Sequence, residues 1–503
     1  MLMHGLLLDG AERHPNRFAF RWVDHNAALT YAQAVEAMGR SAGALAALGV
    51  QKGDRVTIFA HNGLDYLTTM LGAWRIGAIA ALVNVRFADE LANYLADHTP
   101  RVVVYTHDQG EAVRRAAGGA QLVCMDGPQP GAHSLPEMMA AALPAPADPW
   151  DENAIAHLSY TSGTTGKPKG ACLAHEPTIR AARCIGERLR IRGDDISFGP
   201  TALSSSYQLV ANLLPQLAAG ASINVMGRWT QGAGFDAIDA CGATLLVANP
   251  PMLTELLAES RERGHPPGRL RLALSGGGPV PPTLKKAFRD ELKLPLVESY
   301  GQSELGGFVA LGYPELEPDD SRLTRIGPPP PDKDVAVLDS DDRPAPLGQT
   351  GELCLRGGFM VGYWNRPDAT AQATHGGLLR TGDVGFLDAD GYVTLRGRRS
   401  ELIEVGGVIW FPREVEEALQ RIPSVKLAAV IGLPDAVLGA RPAAYVTLEA
   451  GHHLDGGRLK EDIVGKTPYD LAPLTVTVVD ELPLTPTGKI AKAELAAARR
   501  AEA

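Results

Sequence analysis

The segment from Tyr160 to Gly170, with the sequence YTSGTTGKPKG, carries residue types that can hold a polyphosphate. It contains three glycines, five hydroxyl side chains and two lysines within eleven residues. Backbone N–H groups, hydroxyls and ammonium groups in such a loop can converge on an anion. The spacing does not fit G-x-x-x-x-G-K-[ST], so the segment is not a Walker A loop. From composition alone, the alternative is a flexible surface turn.

The length and charge of the chain limit the number of domains and the class of protein to which this segment can belong. A single hydrophobic core stops growing near about 250 to 300 residues, so a chain of 503 residues is expected to form two or more domains. The 48 Lys and Arg residues against 58 Asp and Glu residues give a net charge of −10. This acidic balance argues against a nucleic-acid-binding protein that works through counterion release.

Cysteine usage and hydropathy predict a reduced, cytoplasmic, soluble protein. The five cysteines are scattered without a CxxC pair, which argues against a disulfide framework and a zinc site. The N-terminus has no basic region or cleavage site typical of a signal peptide. The longest uncharged run, residues 196–227, contains prolines, serines and amides, so we interpret it as buried core and expect no membrane span.

The spacing of apolar residues predicts the elements that position the Tyr160 to Gly170 segment. Thr30 and Gln33 form a capping-box pattern for a helix that extends to Gly49. Further along, apolar strands alternate with amphipathic helices, a pattern typical of a doubly wound α/β sheet. The predicted strands cover 54–60, 78–85 and 101–106, the predicted helices 64–76 and 87–98, and residues 127–150 are predicted to be a surface connection.

The chain changes character after residue 399. A strand at Glu401 to Val405, a Gly-Gly turn, a helix that begins at Pro412, and strands near 426–432 and 442–448 predict a small α+β domain. We therefore divide the chain into residues 1–399 and 400–503.

Seven segments, in order along almost the whole chain, resemble the signatures of the adenylate-forming (AMP-binding) enzymes. In character the chain is most similar to acyl-CoA and aryl-CoA synthetases such as 4-coumarate:CoA ligase. The segments are YTSGTTGKPKG (160–170), SGGGPVPP (275–282), YGQSE (300–304), GELCLRGGFMVGYWNRPDAT (351–370), RTGD (380–383), GRRSELIEVGG (397–407) and PLTPTGKI (483–490).

The resemblance implies a large N-terminal adenylation domain of doubly wound sheets and a small, mobile α+β lid domain. It also implies a reaction in which ATP activates a carboxylic acid as an acyl-adenylate. The acyl group is then transferred to the thiol of coenzyme A, with release of AMP and pyrophosphate. The implied small-molecule partners are a carboxylic acid, ATP, Mg²⁺ and coenzyme A.

The resemblance also implies roles for individual residues. Lys489 bridges the substrate carboxylate and the α-phosphate, Thr165 assists at the phosphates, and Glu304 holds magnesium as a hard carboxylate ligand. Asp383 accepts the ribose hydroxyls and Arg398 contacts the ribose. The residues implied to line the nucleotide are Thr161, Ser162, Thr164, Thr165, Lys169, Gly276, Gly277, Gly278, Glu298, Ser299, Tyr300, Gly301, Gln302, Ser303, Asp383 and Arg398.

Departures from the family pattern concern the acyl pocket and the C-terminal domain. A gating histidine is replaced by Ser204 or Ser205, with Tyr207 near the family aromatic, which makes the pocket roomier or more polar. The residues expected to form the acyl pocket are Ser204, Ser205, Tyr207, Gly276 and Gly301. At the expected hinge, where the family usually has Asp or Lys, this chain has Ser400.

Two other functions remain open from the sequence. One is a free-standing adenylation enzyme that loads a carrier-protein thiol, and the other is a non-catalytic descendant that binds nucleotide. The sequence favours an aromatic, alicyclic or medium-chain acid without naming one. The pathway and the oligomeric state, a homodimer included, do not follow from it.

Overall fold

The structure is a computed structural model that describes residues 1–147, 151–161, 168–317, 319–449, 451–484 and 490–502. Its α-helices within these ranges are α1 (Gly5–Arg13), α2 (Tyr31–Ala47), α3 (Leu64–Arg75), α4 (Leu91–His98), α5 (Gly110–Ala116), α6 (Leu135–Ala141), α7 (His175–Arg188), α8 (Leu214–Ala219), α9 (Gln231–Cys241), α10 (Pro250–Arg263), α11 (Pro282–Ala287), α12 (Pro367–Ala373), α13 (Pro412–Gln420), α14 (Gly456–Asp462) and α15 (Lys492–Glu502).

The β-strands of the same ranges are β1 (Phe18–Trp22), β2 (Ala27–Thr30), β3 (Arg55–Phe59), β4 (Ile79–Leu82), β5 (Val102–Tyr105), β6 (Gln121–Cys124), β7 (His133–Ser134), β8 (Ile155–Thr161), β9 (Lys169–Ala174), β10 (Ile196–Gly199), β11 (Ser222–Val225), β12 (Leu245–Ala248), β13 (Leu272–Ser275), β14 (Leu296–Tyr300), β15 (Ala310–Leu311), β16 (Asp334–Leu338), β17 (Gly351–Arg356), β18 (Gly362–Tyr363), β19 (Thr374–His375), β20 (Leu378–Leu387), β21 (Val393–Arg398), β22 (Ile403–Val405), β23 (Val408–Trp410), β24 (Val425–Asp435), β25 (Gly439–Leu448) and β26 (Thr475–Val478).

Two eight-stranded sheets of mainly parallel strands contain several of the predicted nucleotide residues, among them Lys169 and Tyr300. The first has the order β15-β14-β13-β12-β10-β11-β1-β2, and its inner strands from β14 to β1 are parallel. The second has the order β18-β9-β8-β4-β3-β5-β6-β7 and is parallel from β8 to β7. This mixed α/β architecture, with helices between the parallel strands, confirms the predicted fold class.

Two further five-stranded sheets follow in the chain. One has the order β16-β17-β20-β19, with β21 paired to β20, and the other has the order β23-β22-β25-β24, with β26 paired to β25. The second of these is packed around a core that includes Ile403, Val415 and Leu419. The predicted small α+β domain is therefore present, and α13 begins at Pro412 as predicted.

Contacts divide the chain into two compact units. The larger one comprises Met1–Val280, Leu284–Val335 and Leu355–Leu379, and the smaller one Pro281–Thr283, Ala336–Cys354 and Arg380–Ala503. The smaller unit therefore includes residues on both sides of position 400. A functional boundary between 399 and 400 stays a prediction.

Several local predictions can be compared with the structure. Helix α2 begins with the predicted capping box, because the Thr30 side chain accepts from Gln33 N and the Gln33 side chain accepts from Thr30 N. The predicted helix over 87–98 is wrong in its first turn, where Val85–Glu90 is a 3₁₀ helix and Phe87 has φ −95° and ψ 30°. Regular α-helix therefore begins only at Leu91.

The predicted surface connection over 127–150 is also wrong in part. It contains β7 and α6, and the Ser134 side chain caps α6 by accepting from Glu137 N at 3.4 Å. Pro136 occupies the first turn, where its missing N–H costs no hydrogen bond. Leu135 is buried, so the segment does not lie wholly in solvent.

The uncharged run over 196–227 contains β10, a π-helical stretch Gln208–Leu213, α8 and β11. Its apolar side chains are largely buried, as expected for core. None of the helices in the described ranges is long and apolar enough to cross a membrane. A cytoplasmic location stays a prediction.

Candidate active site

The stem of the Tyr160 to Gly170 segment is the antiparallel strand pair β8 and β9. Across this pair, Thr161 lies opposite Lys169 and Tyr160 lies opposite Gly170. Residues 162–167, which include Ser162, Thr164 and Thr165, lie outside the described residues, as does the side chain of Thr161. Their predicted roles at the phosphates therefore stay predictions, and the described part of the loop is its two-stranded base.

Lys169 and Glu304, both predicted from the sequence, are joined through Tyr363. The Lys169 Nζ atom lies 5.6 Å from the centroid of the Tyr363 ring, within cation–π range. The Tyr363 hydroxyl donates to Glu304 Oε1 at 2.8 Å. A cation and a carboxylate, the two charges needed to handle a metal-bound polyphosphate, thus share one aromatic neighbour.

Tyr363 keeps its proton in this position. Burial raises the pKa of the Tyr363 hydroxyl above its ordinary value, and the neighbouring Glu304 carboxylate raises it further. The hydroxyl is therefore a permanent donor that fixes one oxygen of Glu304. Sequence reasoning assigned Tyr363 no role, although it lies in the quoted 351–370 segment.

The Glu304 backbone is also fixed, because Met360 N donates to its carbonyl oxygen at 2.6 Å. Its second carboxylate oxygen, Oε2, has no hydrogen-bond partner among the described residues. No cluster of three or more His, Cys, Asp or Glu ligands occurs in the described ranges. A half-buried single carboxylate suits Mg²⁺, which is commonly held by one or two carboxylates together with substrate phosphates.

Part of the predicted nucleotide lining lies at the ends of strands β13 and β14. Gly277 has φ +76°, a conformation that L side chains rarely adopt. A Cβ atom at Gly276 would come within 2.4 Å of Ser299 Oγ and 2.8 Å of Tyr207 Cε2. By contrast, a Cβ at Gly277 or Gly278 would meet no atom of the described residues within 4 Å.

Two predicted nucleotide residues in β14 have engaged side chains. Glu298 forms an ion pair with Lys285 at 2.5 Å, and both side chains are 6% exposed. Ser299 Oγ donates to Ser275 O at 2.9 Å. These side chains hold β14 in place, and Tyr300, which is 9% exposed, follows them at its end. Any contact of Glu298 or Ser299 with a nucleotide stays a prediction.

The aromatic part of the predicted acyl pocket is formed by Tyr207 and Phe308. Their ring centroids lie 6.1 Å apart in a tilted arrangement. The Tyr207 hydroxyl donates to Leu274 O at 3.2 Å, which supplies the partner that a buried tyrosine needs. A Cβ at Gly301 would lie 3.0 Å from Phe308 Cδ1 and 2.7 Å from Gly307 O, so glycine is needed for this close approach.

Hydroxyl groups form the polar part of the same wall. Ser206 Oγ and Ser303 Oγ lie 3.1 Å apart. This contact joins the serine-rich segment, residues 200–209, to the YGQSE segment, residues 300–304, which is predicted to bind the nucleotide. Ser205 Oγ accepts from Tyr207 N at 3.2 Å, and Ser204 is half-buried. Gln302 is also half-buried and immediately precedes the 3₁₀ helix Ser303–Leu305. The sequence indicated Ser206 only as part of the segment from Ser204 to Tyr207, and it did not indicate Phe308, which carries no motif signal.

Buried amides fix the ends of the serine-rich segment. Asn62 Nδ2 donates to Thr201 O at 3.0 Å and to Met226 O at 2.9 Å, while Asn62 Oδ1 accepts from Leu203 N at 2.8 Å. At the other end, Gln208 donates to the Thr201 hydroxyl. Neutral hydrogen bonds therefore hold the segment that is predicted to form the acyl wall, and Asn62 was not predicted.

The two predicted ribose residues lie side by side in the smaller unit. Asp383 in β20 is paired in register with Arg398 in β21, and Arg398 Nε lies 3.3 Å from Asp383 Oδ1. The Asp383 side chain is 5% exposed and that of Arg398 is 51% exposed. Ser400 follows in the exposed 3₁₀ helix Arg399–Glu401.

Lys489 lies outside the described residues, so its catalytic role stays a prediction. The residues that flank it are described: Leu484 and Ile490 form an isolated β-bridge, and Ala491 N donates to Pro483 O at 2.8 Å. Lys492 Nζ forms ion pairs with Glu401 and Glu416, each at 2.8 Å. The residues on the two sides of the segment 485–489 are thus held close to each other.

Comparison with known proteins identifies the family. The model of the AMP-binding enzymes matches residues 7–364, and that of the AMP-binding enzyme C-terminal domain matches residues 414–489. The chain belongs to the AMP-binding enzyme family. The predicted resemblance is confirmed, and with it the class of reaction, ATP-dependent activation of a carboxylic acid for transfer to coenzyme A.

Individual members of the AMP-binding family are similar along almost their whole length. The chain is 32% identical to a sulfoacetate–CoA ligase of Cupriavidus necator, over 94% of this chain and 93% of that protein. It is 32% identical to a feruloyl-CoA synthase of Amycolatopsis, over 93% of each chain. An anthranilate CoA ligase in complex with anthranoyl-AMP superposes with a TM-score of 0.91 at 25% identity, over 100% of this chain and 98% of that chain.

Proposed function

We propose that this protein is an AMP-forming acid–CoA ligase that activates a compact carboxylic acid. The observation that supports the proposal most directly is the group formed by Lys169, Tyr363 and Glu304 beside the β8–β9 stem. It combines a cation for phosphate with a fixed carboxylate for a metal. The similar proteins named above are CoA ligases or synthetases, which favours coenzyme A over a carrier protein as the acceptor.

In the first half-reaction, the carboxylate attacks the α-phosphate of ATP and pyrophosphate leaves, which forms an acyl-adenylate. Both reactants are anions, so the site must supply positive charge and alignment. We assign Lys169 to the phosphates and Lys489 to the carboxylate and α-phosphate. Glu304 is the residue that would hold Mg²⁺, which would neutralise phosphate charge. Tyr363 orients Glu304 by its hydrogen bond.

In the second half-reaction, the thiol of coenzyme A attacks the acyl carbonyl and AMP leaves. Asp383 and Arg398 are assigned to the ribose, where a buried carboxylate offers two acceptor oxygens to the two hydroxyls. Ser400, two residues after Arg398, is assigned to the backbone rotation between the two half-reactions. An exposed serine in a short 3₁₀ helix presents little steric resistance to such a rotation.

The wall formed by Tyr207, Phe308, Ser206 and Ser303 supports a compact acid, aromatic or alicyclic, over a long aliphatic chain. The two rings offer flat apolar surfaces, and the Tyr207 ring lies against the Gly276 backbone, where it limits depth. The serine hydroxyls can accept or donate to a polar substituent on the acid. The named relatives act on acids as different as sulfoacetate and ferulate, so the family alone does not choose the acid.

The test is acid-dependent exchange of labelled pyrophosphate into ATP with a panel of aromatic, alicyclic and straight-chain acids. AMP release is then measured with and without coenzyme A. Exchange with one class of compact acid and AMP release stimulated by coenzyme A are the expected results. Exchange without any effect of coenzyme A would favour a carrier-protein acceptor, and ATP binding without exchange for any acid would favour the non-catalytic alternative.

A further inference from the structure

A chain of hydrogen bonds, buried at one end and exposed at the other, crosses the larger unit beside the β8–β9 stem. Thr57 Oγ1 in β3 lies 2.6 Å from His98 Nε2, and His98 Nδ1 lies 2.7 Å from the Tyr160 hydroxyl. The Tyr160 hydroxyl donates to Asp97 Oδ2 at 3.0 Å. Asp97 Oδ1 in turn accepts from Arg366 at 2.7 Å. Three secondary-structure elements and the loop before α12 are therefore connected through side chains alone.

The hydrogens of this chain have one consistent arrangement. Because the only hydroxyl hydrogen of Tyr160 goes to the Asp97 carboxylate, His98 Nδ1 must be the donor to the Tyr160 oxygen. Nε2 of a neutral imidazole is then an acceptor for the Thr57 hydroxyl. Burial, with a smaller effect of Arg55, lowers the pKa of His98 to about 3, so the ring is neutral near pH 7. Every donor in the chain points towards the Asp97 carboxylate.

The chain holds both neighbours of strand β9. On one side, the Tyr160 ring covers Gly170, where a Cβ would lie 3.2 Å from Tyr160 Cζ. On the other side, β18 pairs with β9, and Trp364 N donates to Gly170 O at 2.8 Å. Arg366, which Asp97 binds, lies two residues after Trp364. Asp97 therefore connects the segments on both sides of β9, through Tyr160 in β8 and Arg366 after β18, next to Lys169.

We infer that Tyr160 is a positioning residue. Through its hydrogen bond to Asp97, it holds the β8–β9 stem in place and thereby positions Lys169, within the phosphate segment Tyr160 to Gly170, for ATP. Its hydroxyl, although part of the YTSGTTGKPKG segment, is directed to Asp97 and His98 and acts on ATP only through the stem. The acyl wall lies on other elements, at Ser204 to Tyr207 and at the end of β14. Substitution of Tyr160 should therefore change the KM for ATP and leave the KM for the acid unchanged. This inference rests on the proposed function.

The test compares Tyr160→Phe with the matched control Tyr94→Phe. Tyr94 lies in the cluster against which Tyr160 packs, with its ring edge-on to Tyr160 at 5.0 Å between centroids. Among the described residues, no hydrogen bond connects the Tyr94 hydroxyl to the chain from Thr57 to Arg366. Both variants remove one oxygen and keep the ring. In pyrophosphate exchange, Tyr160→Phe should raise the KM for ATP about tenfold, as the loss of a hydrogen bond to a charged acceptor permits. The control should change it less than about twofold.

Additional variants separate positioning from general loss of stability. Asp97→Asn should raise the KM for ATP as Tyr160→Phe does, and the double variant should match the worse single one, because all three interrupt one chain. The KM for the acid should stay within about twofold, since unfolded protein lowers the active fraction without changing a KM.

Two results would overturn the inference: equal KM values for ATP in Tyr160→Phe and Tyr94→Phe, or parallel rises in the KM values for ATP and acid. Wild-type protein without acid-dependent exchange would instead count against the proposed function. In that case ATP affinity is measured by calorimetry in the same variants, and an equal Kd in Tyr160→Phe and Tyr94→Phe would overturn the inference there as well.

Discussion

The base of the phosphate segment and the acyl wall are built from different kinds of contact. At the base, charged groups take part in the hydrogen bonds: Asp97 accepts from Arg366, and in a separate group Glu304 accepts from Tyr363 beside Lys169. The acyl wall is held by amides and hydroxyls without a net charge, through Asn62 and Gln208. ATP is common to the AMP-binding family, whereas the acid differs between its members. We therefore associate the charged contacts with the binding of ATP, which all members share. The neutral contacts suit the binding of the acid, which differs between members.

Among the variants that test this comparison, Lys489→Ala should reduce pyrophosphate exchange the most. Removal of one cation that stabilises the transition state typically lowers kcat by about 10² to 10³. We expect pyrophosphate exchange to fall by that factor for every acid, because the charge serves the step common to all substrates. The control is Lys466→Ala, an exposed lysine of the smaller unit. Unchanged exchange in Lys489→Ala would remove this lysine from the mechanism.

Glu304→Gln should have the next largest effect. The amide can still accept from Tyr363, but it has lost the charge that attracts a divalent cation. We expect the Mg²⁺ concentration for half-maximal exchange to rise at least about tenfold. Tyr363→Phe, which removes only the orienting hydroxyl, should give a smaller rise in the same direction. An unchanged Mg²⁺ requirement in Glu304→Gln would place the metal on other groups.

Tyr207→Ala tests the other side of the comparison. Removal of the ring should open the wall at Gly276 and Phe308, and so change the ratio of kcat/KM for a bulky acid over a compact one by about tenfold. The KM for ATP should stay within about twofold. Tyr207→Phe keeps the ring and removes the hydroxyl that donates to Leu274 O, so it serves as the conservative control. A larger change for ATP than for the acids would contradict the separation of the two regions.

Asn62→Ala should have the smallest effect on catalysis and a clear effect on stability. It leaves Leu203 N and two carbonyl groups without their buried partner, which typically costs about 1 to 3 kcal/mol. Denaturant unfolding should show this loss, and selectivity among acids should relax by a few-fold. Asn26→Ala, at a left-handed position in the turn before β2, is a useful comparison. Equal selectivity in both variants would show that Asn62 supports the fold and not the wall.

The fold was predicted well where the signal is local. The capping box of α2 and the strands β3, β4 and β5 follow from residues within one element. Even the helix α6, which was missed, has a local signature in Ser134 and Glu137, whose spacing is that of a capping box. The proline between them and the Pro- and Ala-rich surroundings favoured the wrong interpretation.

The candidate site was predicted where a motif carries the residue and missed where only the fold brings residues together. Lys169, Glu304, Asp383 and Arg398 belong to motifs, but Tyr363 is 59 residues from the Glu304 that it orients. Asn62 binds Thr201, which is 139 residues away. Such pairs follow from sheet topology, because neighbouring strands are distant in sequence. No pattern within a single sequence reports them.

The register of β20 and β21 has a consequence for how long the activated acid is retained. Asp383 and Arg398 face each other across one strand pair, and both precede Ser400. A backbone rotation at Ser400 therefore leaves their mutual arrangement unchanged. If both bind the ribose as proposed, the adenylate stays tethered by its sugar throughout the change between half-reactions. A reactive mixed anhydride is then protected from escape into water until the thiol arrives.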